Sequence, residues 1–298
     1  MKSFLTLSIF LLSLTFAVAQ TINNEVVDDK GKAKLLGPIN KKGLQKEAYK
    51  DWFNKNHDNY IVNDKFVETF KDSLKDYKIK VFLGTWCGDS KKEVPRLYNV
   101  LETADFNMNN LEVIALDNVK EHYKQGPNSE EKGYKIHRVP TFIFYKDDKE
   151  VSRIVEHPVE TLERDIEKIV TNKRYTFNYI AANYVQHLLE EKTIEDLQKE
   201  EGNLVAKLSE FVKGTRELNT LGYVLLRAKE YEKATYIFKL NTLIFPYKSN
   251  VYDSLAEAYF ETKNYTEASK NYYKVLSLNP EDKNALEMLE KIKLATKE

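Results

Sequence analysis

The chain has 298 residues, 46 basic and 46 acidic side chains, 42% hydrophobic and 12% aromatic content. That is enough apolar material for one large or two modest cores, and too much tyrosine and phenylalanine for a disordered chain. The charges are balanced and interspersed, so no nucleic-acid partner is expected, and a single cysteine excludes an internal dithiol–disulfide cycle.

Met1–Ala19 has the form of a secretory signal: Lys2 starts it, Phe4–Phe16 is its apolar centre, and Ala17-Val18-Ala19 is the small-residue cleavage pattern before Gln20. This predicts export, to the periplasm or beyond. The apolar run is shorter than the ~20 residues a span needs, no cysteine follows for a lipid anchor, and no transmembrane span is expected later. Residues 20–43 are polar and turn-rich (Gly31, Gly37-Pro38) and read as a loosely attached N-terminal arm. Tyr49, Trp52 and Phe53 predict an amphipathic helix over 46–56. Phe66, Val67, Phe70 and Leu74 predict a second, capped by Asn63 or Asp64. Both are expected to pack on the domain that follows, as its helical extension.

Ile79, Val81, Phe82 and Leu83 form an apolar run ending at Gly84-Thr85, which predicts a buried strand. Cys87 follows at once, and Val94, Leu97, Val100 and Leu101 then recur at helical spacing. A cysteine at a strand-to-helix turn meets unpaired backbone N–H groups and the positive end of the helix dipole, which favour the thiolate. Lys91 and Lys92 push the same way, and Asp89 opposes. The stretch Trp86-Cys87-Gly88-Asp89-Ser90-Lys91 resembles the Trp-Cys-Gly-Pro-Cys-Lys motif of the thioredoxin family. Pro95 falls where that family kinks its helix. Tyr134-x-Ile136-x-x-Val139-Pro140-Thr141-Phe142 is similar to the segment carrying the family's cis-proline. The resemblance covers Lys78–Val170. It implies a thioredoxin-like α/β fold, a cis Val139–Pro140 bond, and a substrate groove of Trp86, Gly88, Asp89, Val139, Pro140 and Thr141. Two positions depart from the family: Ser90 stands where it has a resolving cysteine, and Val81 where it has a buried acid.

Leu111–Leu116 predicts a second buried strand and Asn118–Lys132 a long polar loop turning at Gly126-Pro127-Asn128. Thr141–Tyr145 and Val151–Val155 predict a hairpin. A closing helix over Val159–Val170 would bury Val159, Leu162, Ile166 and Ile169. From Tyr179 the pattern is wholly helical. Leu218-x-x-Leu221-Gly222-x-x-Leu225, Ala234-x-x-x-Phe238 and Pro246 are answered 34 residues on by Tyr252-x-x-Leu255-Ala256-x-x-Tyr259, Ala268-x-x-x-Tyr272 and Pro280. This resembles two tetratricopeptide repeats, each a pair of antiparallel helices. The expected organisation is a signal peptide (1–19), an arm (20–43), a thioredoxin-like domain with its helical extension (44–172), an irregular helical connector (173–216), and two tetratricopeptide-like repeats with a capping helix (217–298).

Cys87 and Ser90 are the catalytic candidates; Ser90 is placed either to donate to the thiolate or to cap the helix, and a hydroxyl cannot resolve a mixed disulfide. His137 is expected as a surface histidine on the substrate-facing loop, with a Cys/His nucleophile pair as the alternative, and His157 on the same rim. His57, His122 and His187 show no metal-ligand spacing, and neither metal nor cofactor is expected. Asn264-Tyr265-Thr266 matches a glycosylation acceptor, a triplet that also arises by chance. Four functions were weighed. Iron–sulfur carriage and peroxide reduction lack their families' flanking patterns. Monothiol thiol–disulfide exchange, isomerase-like in needing an outside thiol for release, fits best, with protein thiols or disulfides, or a low-molecular-weight thiol, as partners. The alternative is a non-catalytic binding module holding a peptide or protein on the repeats; Tyr223, Arg227, Lys229, Tyr252 and Tyr259 are candidates for that face, the tyrosines by default for packing between helices.

Overall fold

A computed structural model describes residues 22–297, so the expected signal peptide, Met1–Ala19, and its cleavage point before Gln20 lie outside the described residues. Strands β1 (Asn24–Val27) and β2 (Ala33–Ile39) are followed by the short helix α1 (Lys41–Leu44), then α2 (Lys50–Asp58), α3 (Asp64–Val67) and α4 (Lys71–Leu74). Strand β3 (Lys78–Leu83), helix α5 (Gly88–Thr103) and strand β4 (Leu111–Ala115) make a β-α-β unit, and β5 (Thr141–Lys146), β6 (Lys149–Val155) and α6 (Leu162–Val170) close the domain. The six strands form one sheet in the order β1-β2-β4-β3-β5-β6, with β3 and β4 parallel and every other neighbouring pair antiparallel.

Several elements differ from expectation. The segment read as a loose arm is a hairpin built into the sheet: β2 pairs with β4 at Gly37↔Ala115, Pro38↔Ile114 and Ile39↔Val113, and Leu35 is fully buried. Gly37-Pro38 reads as a turn, yet β1 pairs only with residues 33–36. Pro38 lies just past that register, its carbonyl accepting from the Asn23 N–H at 3.0 Å, so its missing N–H falls at the end of the β1 pairing. The second predicted helix breaks at Phe70 into α3 and α4, with Asn63 capping α3 by accepting from the Phe66 N–H. Val159 lies before α6, which Thr161 caps, and is exposed rather than on its buried face. The β5–β6 turn is Asp147-Asp148, both at positive φ (51° and 56°), the backbone a two-residue hairpin requires.

The two faces of the sheet are covered differently. Ile79, Val81 and Leu83, alternating along β3, meet α2 to α6 in one apolar core with Phe53, Phe70, Leu97, Leu101 and Ile166. Phe82, pointing the other way, joins Ile114, Leu116, Ile136, Val139 and Ile143 in a smaller core whose border includes Trp86 and Cys87. The segment between β4 and β5, irregular apart from one 3-10 turn at Lys120–His122, covers that face.

The rest is helical: α7 (Ile180–Glu191), α8 (Ile194–Lys199), α9 (Glu201–Phe211), α10 (Arg216–Arg227), α11 (Tyr231–Ile244), α12 (Ser249–Glu261), α13 (Tyr265–Leu278) and α14 (Lys283–Ala295). The small residues at repeat positions let the helices approach closely: a Cβ on Gly222 would come 2.5 Å from the Phe238 ring, and Ala234, Ala256 and Ala268 are fully buried. Pro246 and Pro280 fall just past α11 and α13, where a helix cannot continue through them. Packing continues across the expected boundary at 216/217. Ala181, Val185 and Leu189 of α7 and Leu204 and Leu208 of α9 share a single core with α10 and α11. The "connector" thus supplies the covering helices that stacked repeats need at an end. No helix among the described residues is long and apolar enough to cross a membrane.

Candidate functional site

Cys87 is the N-cap of α5 and is partly buried. Its Sγ donates to the Val139 carbonyl at 3.2 Å. Two structures set this geometry. The Trp86 indole N–H donates to the Leu116 carbonyl at 2.8 Å, and Gly84 lies so close to that ring that a Cβ would approach it to 2.5 Å. Opposite, the Val139–Pro140 peptide bond is cis, and the Thr141 hydroxyl donates to the Arg138 carbonyl at 2.7 Å. The structure thus gathers Trp86, Cys87, Val139, Pro140 and Thr141, with Gly88 and Asp89 exposed at the rim. Pro95 lies inside α5, as expected.

Ser90 is placed otherwise. It is fully buried, and its Oγ accepts from the Gly84 N–H at 3.1 Å. A side chain early in a helix leans back toward the preceding turn, so this hydroxyl fastens the strand-to-helix corner.

His137 is not on the surface: it is 1% exposed, its Nε2 has no hydrogen-bond partner, and its ring meets Tyr179 edge-on at 6.0 Å. Burial, reinforced by Lys124, Arg138 and Arg153, holds it neutral, with its pKa pulled down to about 3. His157 is exposed beside Glu156, whose N–H donates to the Pro140 carbonyl at 2.7 Å, so the rim position expected for it holds. The Asn264 side chain accepts from the Glu267 N–H and caps α13.

Sequence reasoning missed Lys124. It lies in the polar 118–132 loop, yet is 4% exposed. Its Nζ donates to the Tyr123 hydroxyl at 2.8 Å and to the His137 carbonyl at 2.9 Å. Burial, with Arg138 nearby, pulls its pKa down to about 7, while Cys87 and Glu156 oppose the shift. Next to it, Arg138 pairs with Glu156 at 2.9 Å, stacks on the Tyr179 ring at 4.5 Å and donates to the Arg216 carbonyl of α10 at 3.2 Å. Lys124, Lys135, Glu156 and Tyr179 hold positive φ, as do eight other non-glycine residues spread along the described chain. A polar loop without periodicity carries no burial signal; only Lys next to Tyr123 hinted at it.

The helical repeats therefore adjoin the groove. Lys120 of the loop reaches Glu257 and Glu261 of α12 at 3.0 and 3.4 Å, and a cavity of about 390 Å³ lies between Tyr123 and the α10 residues Arg216, Asn219 and Tyr223. Of the face candidates, Tyr223 is engaged in packing, edge-on to Phe238 at 5.1 Å and donating to Glu257 at 2.9 Å. Tyr252 donates to the Pro246 carbonyl at 3.1 Å. Arg227 is paired with Glu257 and Glu261, and Lys229 is exposed.

A family model described as thioredoxin matches residues 41–168. The α/β half is thioredoxin-like. An all-α, tetratricopeptide-like helical domain follows it. Among solved structures, the first TPR of Spaghetti (RPAP3) bound to the HSP90 peptide SRMEEVD matches with 21% identity over 34% of this chain and 83% of that chain, at a TM-score of 0.28. At that similarity it adds nothing to what the helix packing shows. No curated protein matches the chain. The thioredoxin-like match stops short of the helical domain, and among the described residues no group of three or more His, Cys, Asp or Glu is placed to hold a metal ion.

Proposed function

We propose that the protein is exported and carries out monothiol thiol–disulfide exchange: Cys87 attacks a disulfide of a partner protein, and release comes from the partner's second thiol or from a low-molecular-weight thiol. The observation that carries this reading is the partly buried Cys87 sulfur, at a helix N-cap and 3.2 Å from the Val139 carbonyl, on a thioredoxin-like domain matched over 41–168. The Cys87–S–S–R bond forms as the partner's S–S bond breaks, and the departing thiolate takes a proton from water. With no second cysteine in the chain, release has to be intermolecular, which favours isomerase-like reshuffling over net reduction. The repeats supply the partner's binding surface, and tethering raises its local concentration at a thiol with little selectivity of its own.

The second reading, a binding module without turnover, draws on Ser90: its hydroxyl is committed to the Gly84 N–H and takes no part at the thiol. One substitution separates the two. Ser90→Cys restores a second thiol one helical turn on, so an exchange enzyme gains insulin-reductase activity with external reductant, because resolution becomes intramolecular. In the parent cell, mixed disulfides captured by the wild type and absent from Cys87→Ala are expected. No captured disulfide partner, together with an inert Ser90→Cys, would leave the binding module as the function.

A further inference from the structure

Pro95 stands inside α5 and has no N–H to give, so the Lys91 carbonyl, four residues back, loses its helical donor. The missing bond is made from outside the helix. Asn56 of α2 donates from Nδ2 to the Lys91 carbonyl at 3.0 Å, and from the same nitrogen to the Trp52 carbonyl of its own helix at 2.9 Å. Both partners are acceptors, so the amide has to present its NH2 group to them, and both of its hydrogens are used. The reverse bond runs from α5 to α2. Asn99 donates from Nδ2 to the His57 carbonyl in the last turn of α2 at 2.8 Å, and to the Tyr60 carbonyl just beyond it at 3.0 Å. Carbonyls at a helix end lack donors within the helix. Two asparagines, one on each helix, thus supply the donors that a proline and a helix end leave missing. The Lys91 N–H in turn donates to the Cys87 carbonyl at 3.0 Å. The residue whose carbonyl Asn56 holds is therefore the one that closes the first turn of α5 on Cys87. Ser90 ties the same turn to the end of β3 through the Gly84 N–H.

We propose that Asn56 is a positioning residue for Cys87: its bond to the Lys91 carbonyl replaces the one Pro95 removes, and holds the first turn of α5 so that the sulfur stays directed at the groove beside Val139. The turn that carries the thiol is joined to the rest of α5 by one helical bond fewer than an unbroken helix has, so its direction depends on these outside partners. Attack on a disulfide needs the sulfur in line with the S–S bond, and a turn free to rock loses rate without losing the thiol. No bond forms or breaks at Asn56, which acts through Lys91 and Cys87. The brace exists whether or not the exchange reading is right; its use in a reaction rests on that reading.

The test is a cycle in the full chain: wild type, Asn56→Ala, Pro95→Ala and the double variant, with thermal unfolding to confirm that each folds. Pro95→Ala gives position 95 an N–H, which the Lys91 carbonyl takes from within the helix, so that Asn56 is no longer needed there. Two quantities are read: hydrogen exchange of the Lys91 amide, and the rate at which Cys87 forms a mixed disulfide with 4,4′-dithiodipyridine, releasing thiopyridone. Asn56→Ala is expected to quicken the exchange about fivefold, the worth of one hydrogen bond of ordinary strength, and to slow mixed-disulfide formation severalfold. The double variant should match Pro95→Ala in both. Unchanged exchange in folded Asn56→Ala overturns the assignment whatever the rate, and so does an equal effect of the substitution in both backgrounds. Quickened exchange with an unchanged rate overturns the positioning role. A single variant that fails to fold while the double variant folds supports the same bond. Failure of both overturns it, because Asn56 then holds more than the Lys91 carbonyl. If the cycle closes as expected while no disulfide partner is captured in cells, the brace stands and the exchange function fails.

Discussion

The two faces of the central sheet are built on opposite principles. On one, Ile79, Val81 and Leu83 share an apolar core with side chains from α2 to α6, and the buried carboxylates Glu163 and Asp165 of α6 are bonded to neighbouring N–H and hydroxyl groups. On the other, an apolar floor of Phe82, Ile114 and Ile143 lies under a segment whose helical content is one 3-10 turn at Lys120–His122, and which buries Lys124 and His137 and borders Cys87. Strand alternation places both sets from the same few residues, so the difference lies in what covers them. A helix satisfies its own backbone and can present hydrocarbon alone. A loop has to satisfy its carbonyls one by one, and the Lys124 Nζ on His137 and the Cys87 thiol on Val139 are two of those bonds. The helix-covered face stores stability; the loop-covered face holds polar groups at an energetic cost, where chemistry can use them.

The largest expected effect sharpens that contrast from the helix side. Phe53 is buried against Tyr98, edge-to-face at 5.7 Å, and Phe53→Ala is expected to cost about 3–5 kcal/mol in urea unfolding. The alkylation rate of Cys87 in the folded protein should change little, since Phe53 meets α5 at Tyr98, well past the Cys87 N-cap. A cost under about 1 kcal/mol, well below the usual large-to-small penalty, would show that this face is not one close-packed core, and a changed Cys87 rate would show that packing under α5 reaches its N-cap.

The next effect belongs to the loop face. Unfolded, His137 takes up a proton near its ordinary 6.5; folded, it does so only near 3. Between those values the unfolded state binds more protons, so stability falls as pH falls, by about 1.4 kcal/mol per unit and about 2 kcal/mol from pH 7 to pH 5. His137→Leu removes both the titration and the unpartnered Nε2, and should flatten the acid limb by that amount while leaving stability at pH 7 nearly unchanged. Parallel acid limbs in the two proteins would mean His137 is hydrated in the native state.

How much of this was legible follows the same division. The helix-covered face announces itself: the apolar run at Ile79–Leu83 and the helical spacing of Val94 to Leu101 yield the strand and α5 in their places, while on the other face only the motif residues around Cys87 and Pro140 mark the groove. The 34-residue recurrence gives the helix pairs because small residues and prolines mark helix contacts and ends directly. What stays hidden is burial without periodicity. Lys124 is a lysine in a polar loop, His137 an isolated histidine, and Gly37-Pro38 carries turn chemistry inside a strand; each is held by a partner outside its own element (the His137 carbonyl, Tyr179, and Ile114 respectively). Ser90 was misplaced for a smaller reason, since one turn of helix decides whether a hydroxyl faces the thiol or the strand behind it.

The smallest effect tests whether the loop face is a unit of its own or an appendage of the repeats. Lys120 joins the loop to α12 through Glu257 and Glu261, but it is more than half exposed, and Arg227 already pairs with both carboxylates. An exposed bridge of this kind contributes little, so Lys120→Ala should change unfolding free energy by less than about 0.5 kcal/mol. The loop is nonetheless held from that side. Its Lys124 and Gln125 amides donate to Asp117 and His122, and their hydrogen exchange should quicken several-fold in the variant because local opening draws on local contacts, not on global stability. Amides of α12 should exchange as before. A stability loss above about 1.5 kcal/mol, beyond the range of an exposed pair, would mean that loop and repeats unfold as one cooperative body. The polar face of the sheet would then be sealed by the helical domain and not by its own loop, and the contrast between the two faces would become one between a core and a domain interface.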